Sequence, residues 1–141
     1  MKTASLIARL LLGIIFLAFG LNGFLHFIPM PPPTGAAAQF FGAIFASGFW
    51  VVIFLLQIIL AVPLLVNRYV PLALTLLGPV IVNILFFHLF MVPAGLPLAL
   101  LVATLWIVVY SGVRSAFAGL FQQRVQGPTQ GVEPQWSAQL R

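Results

Sequence analysis

The chain has 141 residues, of which 62% are hydrophobic and only 5% charged. A soluble domain carries about 25% charged residues, so a surface built from this composition would not stay dissolved, and lipid is the expected solvent for most of the chain. The net charge of +5 comes from six basic residues placed singly, which make no nucleic-acid-binding patch or stripe. With no cysteine, disulfides, thiol chemistry and Cys-ligated metals or clusters are excluded.

The first apolar run, from about Leu6 to Ile28, "LIARLLLGIIFLAFGLNGFLHFI", meets the roughly 20 residues a bilayer-crossing helix needs. Lys2, this run and Ala36 to Ala38 imitate a signal peptide with its cleavage site. The run is about twice the usual length, however, and prolines crowd the site, so the segment is expected to be retained. "PMPPPTG", Pro29 to Gly35, must be extended, close to polyproline geometry. "AAAQFFGAIFASG" follows. One helix from Ala36 to Val66 would be about 45 Å long, against a hydrocarbon core of about 30 Å. The spacing therefore predicts a short interfacial or re-entrant helix on the outer face, a bend near Ser47-Gly48, and a second span from Phe49 to Val66.

A third span is expected from Val70 to Met91 and a fourth from Leu96 to Ser115. Pro63 and Pro79 lie inside spans two and three, where neighbouring helices can re-satisfy the freed carbonyls. After about Leu120 the chain turns rich in Gln, Gly and Pro and holds its only acid, Glu133. The expected fold class is thus all-α, an integral membrane bundle of four transmembrane helices over residues 1–120. Residues 121–141 are expected to form a polar, disordered cytoplasmic tail. Four spans place Lys2, Arg9, Arg68, Arg114, Arg124 and Arg141 on one side and leave the connections at 29–48 and 92–95 without charge. The positive-inside rule makes that side, and both termini, cytoplasmic.

Polar side chains in the spans are few: Asn22, His26, Gln57, Asn83 and His88, with Thr75, Thr104 and Ser111 as weak hydroxyls. Such groups are costly in lipid and face the bundle interior. From the helical rise, Asn22 and Asn83 lie about 5–8 Å outside the midplane and His26 and His88 about 12–14 Å, with Gln57 near the midplane. "HFIP" and "HLFMVP" each set a His before a proline turn, which hints that spans one and two repeat as spans three and four. The five residues make a candidate pocket for a neutral polar head group, or helix-to-helix hydrogen bonds. Asn22 and His26 share a helical face, whereas Asn83 and His88, five apart, diverge by about 140°. Gly13, Gly20, Gly23 and Gly78 read as close-packing positions.

"ARLLLGIIFLAFGLNGFLHFIP" and "PLALTLLGPVIVNILFFHLFMVPAGLPLAL" resemble the DoxX family, small four-helix integral membrane proteins of bacteria and archaea. The resemblance covers about residues 8–117, most specifically "FGLNGF" (Phe19 to Phe24) and "PVIVN…FH" (Pro79 to His88). It implies a cell (inner) membrane location and, as in some relatives, a membrane subunit of a thiosulfate:quinone oxidoreductase. Members often carry a basic residue after the glycine-rich part of the first helix; here that region reads Asn22-Gly23-Phe24.

Three functions fit the residues. A quinone-linked redox subunit would bind the quinone in the apolar bundle, with His26 or His88 exchanging a proton and Asn22 and Asn83 orienting the ring. No intrinsic cofactor or metal motif is present, so electrons would come from a soluble or membrane partner. A non-enzymatic scaffold or assembly subunit would use the same residues to tie helices together. A lipid- or solute-handling protein would open a pocket to the outer face. Haem between His26 and His88 is disfavoured, because every arginine lies at the opposite face and its propionates would lack basic partners. The bilayer is the expected partner; nucleic acid is not, and the reading leaves room for a homo-oligomer.

Overall fold

The computed structural model describes residues 2–121; the tail expected from the sequence at residues 121–141 lies outside them but for its first residue. Among the described residues the chain is all-helical. Helix α1 spans Lys2–Leu25, α2 Gly35–Ala46, α3 Phe49–Leu65, α4 Val70–Phe90 and α5 Leu96–Val113. Short 3-10 turns occupy Pro93–Gly95 and Arg114–Phe121.

The long helices close a ring in the order α1, α3, α4, α5: α1 packs on α3 and α5, and α4 packs on the same two. Helices α1 and α4 therefore face each other diagonally. The start of α1, the α3–α4 turn and the end of α5 meet at one end of the ring, where they line a common cleft. Arg9, Arg68 and Arg114 lie there, so it is called the basic end. The opposite end, with Pro29 to Pro33 and Pro93, is called the proline end.

Helices α1, α4 and α5 are each long and apolar enough to cross a membrane. Helices α2 and α3 meet that test only together, as a pair bent by 89°. The bend falls at Ser47-Gly48, where Gly48 takes a left-handed φ of 75° that glycine adopts without steric cost. The expected short helix after the prolines and its break before α3 are thus present.

The first helix stops at Leu25, earlier than the Ile28 expected. His26 leaves it in a left-handed conformation, φ 54°, and Pro29 disfavours helical geometry at the residue before it. Helix α5 likewise ends at Val113, two residues short of the expected Ser115, and yields to a 3-10 turn at Arg114.

The outside of the helices is apolar. Ile7, Ile14, Ile59, Leu72, Phe86 and Ile107 are all more than half exposed. The interior, around Leu12, Phe16, Leu64, Leu74, Leu77 and Val109, is also apolar. An outer surface of this kind cannot be matched to water. Helix association then depends on close fit, and α1 supplies it. A Cβ on Gly13 would come within 2.8 Å of Leu65, and one on Gly20 within 2.8 Å of Ile58 and 3.1 Å of the Phe54 carbonyl. A Cβ on Gly23 would enter the Phe54 ring. Gly78 differs from expectation: a Cβ there would only touch Trp106 at 3.9 Å, an ordinary contact, because α4 meets α5 through large side chains.

Gly20→Val should therefore lower the detergent-solubilised melting temperature by several degrees, an overpacking cost of about 1–3 kcal/mol. Gly42→Val, on α2 where nothing lies within 4 Å, should leave it nearly unchanged. Tryptophan-fluorescence melting of the two variants measures the difference.

Candidate functional site

At the proline end the chain must leave α1, run extended through the prolines and enter α2. Asn22, 6% exposed, manages that exit. Its Oδ1 accepts the Ile28 N–H at 2.6 Å and its Nδ2 donates to the Ile28 carbonyl at 3.4 Å. The Asn22 carbonyl closes the last helical turn by accepting the His26 N–H at 3.0 Å. One amide thus serves backbone groups that no helix can satisfy. His88, in the last turn of α4, acts in the same way: its Nδ1 donates to the Val92 carbonyl at 3.1 Å. The imidazole lies directly over Gly95, where any Cβ would collide with it.

The remaining sequence-predicted residues are elsewhere. His26 is exposed and outside the helix, and Asn83 is exposed on α4. Gln57, 7% exposed, packs at the α1–α3 contact against Gly20. Gln57 thus meets α1 at Gly20, Asn22 bonds its own exit loop, His88 bonds the turn after α4, and His26 and Asn83 are exposed. None of the five lines the cleft at the basic end or the apolar cleft between α4 and α5.

An aromatic layer surrounds these residues. Phe24 of α1 packs on Trp50 and Phe54 of α3, with ring centroids 5.2 and 6.3 Å apart. Phe45 of α2 stacks on Trp50 at 5.6 Å. Phe40 and Phe41 of α2 pack on Phe87 of α4 at 5.6 and 5.2 Å, and Phe87 in turn edges His88 at 5.2 Å. This layer of phenylalanines around Trp50 holds α2 across the proline end.

The basic end carries the feature that the sequence reading missed. Arg9 is treated there as a flanking charge, yet only 8% of it is exposed. Its Nη1 donates to the Leu64 carbonyl and, at 3.4 Å, to the Leu65 carbonyl. The final turn of α3 is then fully accounted for. Val62 accepts from the Val66 N–H and Pro63 from the Arg68 N–H, both at 3.0 Å, while Leu64 and Leu65 accept from Arg9. A cation at a helix C-terminus also opposes the negative end of the helix dipole. The available signal was position: Arg9 lies inside the apolar window of the first span, where an ionisable residue is presumed functional.

Arg9 lines a cleft of about 560 Å³ between the start of α1, the α3–α4 turn and the end of α5, with Ser5, Asn67 and Ser111 as its other polar side chains. Gly112 lets α1 and α5 approach here, since a Cβ on it would collide with Ser5. A second cleft, about 230 Å³, is apolar and lies between α4 and α5 at Gly78 and Trp106. Trp106 donates from its indole to the Leu74 carbonyl at 2.9 Å, close to the ladder that Pro79 interrupts. Comparison with family models, with curated proteins and with solved structures finds no match.

The two asparagines should respond differently to removal of their amides. Asn22→Leu leaves the Ile28 N–H without its partner and should destabilise the protein by about 1–3 kcal/mol. Asn83→Leu, on an exposed face, should change stability by less than about 0.5 kcal/mol. Denaturation in a fixed detergent distinguishes the two.

Proposed function

We propose that this chain is a DoxX-like integral membrane protein that crosses the bacterial or archaeal cell membrane four times, with both termini in the cytoplasm. Its role is that of a non-enzymatic scaffold or assembly subunit. Helix α3 alone is about 26 Å long, close to the thickness of a hydrocarbon core. With α2 lying at the outer interface, the bent pair counts as one crossing. The orientation is supported by Arg9, Arg68 and Arg114 gathering at one end of the helices, with no charged residue at the other among the described residues.

The observation that carries the scaffold reading is the engagement of Asn22 and His88 with their own loops. Side chains already bonded to backbone shape the exit of a helix.

A quinone-linked subunit, drawing electrons from a soluble or membrane redox partner, is the second reading, and one observation favours it. His88 donates through Nδ1, so in the neutral ring Nε2 is an acceptor. It has no partner among the described residues, and the ring sits beside Phe87 in the aromatic layer. A quinol hydroxyl could donate there.

His88→Phe separates the two readings. The scaffold reading expects a clear loss of thermal stability and no effect attributable to quinone binding. If a quinone analogue binds the wild type and His88→Phe abolishes that binding at unchanged stability, the redox reading replaces it. Topology is checked on the cysteine-free background. Thr34→Cys should react with an impermeant maleimide added outside intact cells, and Ser115→Cys only after permeabilisation.

A further inference from the structure

The cleft at the basic end has a property that a scaffold does not require. It contains a buried permanent cation with unused donors. A guanidinium carries five N–H donors and stays protonated at any physiological pH. Arg9 commits Nη1 to the carbonyls of Leu64 and Leu65; its other nitrogens have no partner among the described residues. No carboxylate side chain occurs anywhere in residues 2–121, and the chain's only acid, Glu133, lies outside them. Carbonyl oxygens supply partial charge only, and a desolvated cation without a full counter-charge is costly.

The surroundings of Arg9 define what would complete it. Ser5 and Asn67 face the same cleft, and neither side chain bonds another described residue. The Ser111 hydroxyl donates to the Val108 carbonyl at 2.8 Å, so it offers no proton to a ligand. Arg68 in the α3–α4 turn and Arg114 after α5 are exposed at the same end and add to the positive potential. The other lining side chains are apolar, among them Leu6, Val70 and Val109. At about 560 Å³, the cleft falls in the range of small-ligand sites, about 300–1,000 Å³.

We propose that this cleft binds the phosphate of an anionic phospholipid, with Arg9 as the charged ligand-binding residue and Ser5 and Asn67 as neutral donors. An oxyanion supplies the missing counter-charge, and the apolar walls suit the glycerol and upper acyl carbons attached to it. Basic pockets between membrane helices at the cytoplasmic side are suited to such head groups. The inference rests on the membrane placement of the helices. It is independent of the scaffold and quinone readings, which concern the opposite end.

The test uses the full-length protein, delipidated in a neutral detergent, with melting temperature followed during titration. The probes are phosphatidylglycerol, phosphatidylcholine and inorganic phosphate. Phosphatidylglycerol should raise the melting temperature in a saturable way, and the other two should not. Arg9→Gln should abolish the shift. Because that variant also unties α3 and can fail to fold, Asn67→Asp is the second arm. Asp tolerates the left-handed φ of 56° at that position and sets a fixed negative charge in the cleft; it should weaken the lipid response about tenfold or more. Equal stabilisation by both lipids, or an Asn67→Asp protein that responds like the wild type, would overturn the proposal. A response to inorganic phosphate matching that to phosphatidylglycerol would assign the oxyanion to a soluble source and reject the lipid. A wild type that ignores every probe, while Glu133→Gln responds, would show that the chain's own carboxylate fills the cleft and would equally reject it.

Discussion

The constraint on which the rest depends is an exterior almost without charge. With Ile14, Ile59, Leu72 and Ile107 facing outward, removing apolar surface from water cannot drive these helices together once they are in lipid. What remains is close fit, and it is concentrated on one seam. Gly13, Gly20 and Gly23 let α1 lie against α3 so closely that Leu65, Ile58 and Phe54 occupy the places of their missing side chains. The α4–α5 seam is built otherwise, with Trp106 bonding the Leu74 carbonyl and stacking on Tyr110 at 5.3 Å.

The same lack of water governs the polar side chains. A backbone N–H or C=O freed at a helix end in a dry setting must find a partner, and this sequence has few to offer. Asn22, His88 and Arg9 each serve one such end: the exit of α1, the exit of α4 and the last turn of α3. The hydroxyls of Thr75 and Thr104 turn back onto the carbonyls of Pro71 and Leu100, at 2.9 and 2.8 Å. Of the five polar residues that share a depth pattern in the sequence, Asn22 and His88 thus serve helix termini.

This difference marks how far the sequence could be read. The helices were legible because hydrophobic runs, prolines and the Ser47-Gly48 break act locally. So were the close-packing roles of Gly13, Gly20 and Gly23, since small residues on an apolar helix have few other uses. Gly78 has the same local signature and no such role, because its function depends on what α5 places opposite it. The separation of His26 from the helix was hidden for a similar reason: a left-handed residue three positions before Pro29 leaves no compositional trace. Arg9 was visible as a charge at the basic end, but its burial was not. Its position close to the N-terminus suited a flanking charge, and nothing in one chain segment reveals that α3 ends beside it.

The two ends of the molecule then follow different electrostatic rules. At the proline end every polar partner is neutral, and Asn22 and the Nδ1 of His88 meet backbone groups directly, so both helix exits close without a counter-charge. At the basic end Arg9 brings more donors than α3 has carbonyls left to accept them. The surplus is directed into a cleft that Gly112 holds narrow on the α5 side and the Asn67 turn borders on the other. Neutral dipoles can terminate a helix, but they cannot balance a whole charge. A fold that needed only to cap α3 could have used a neutral donor such as the amide that ends α1. A guanidinium in the same office, exposed by only 8%, is best understood as half of a pair whose other half is an anion arriving from the membrane surface.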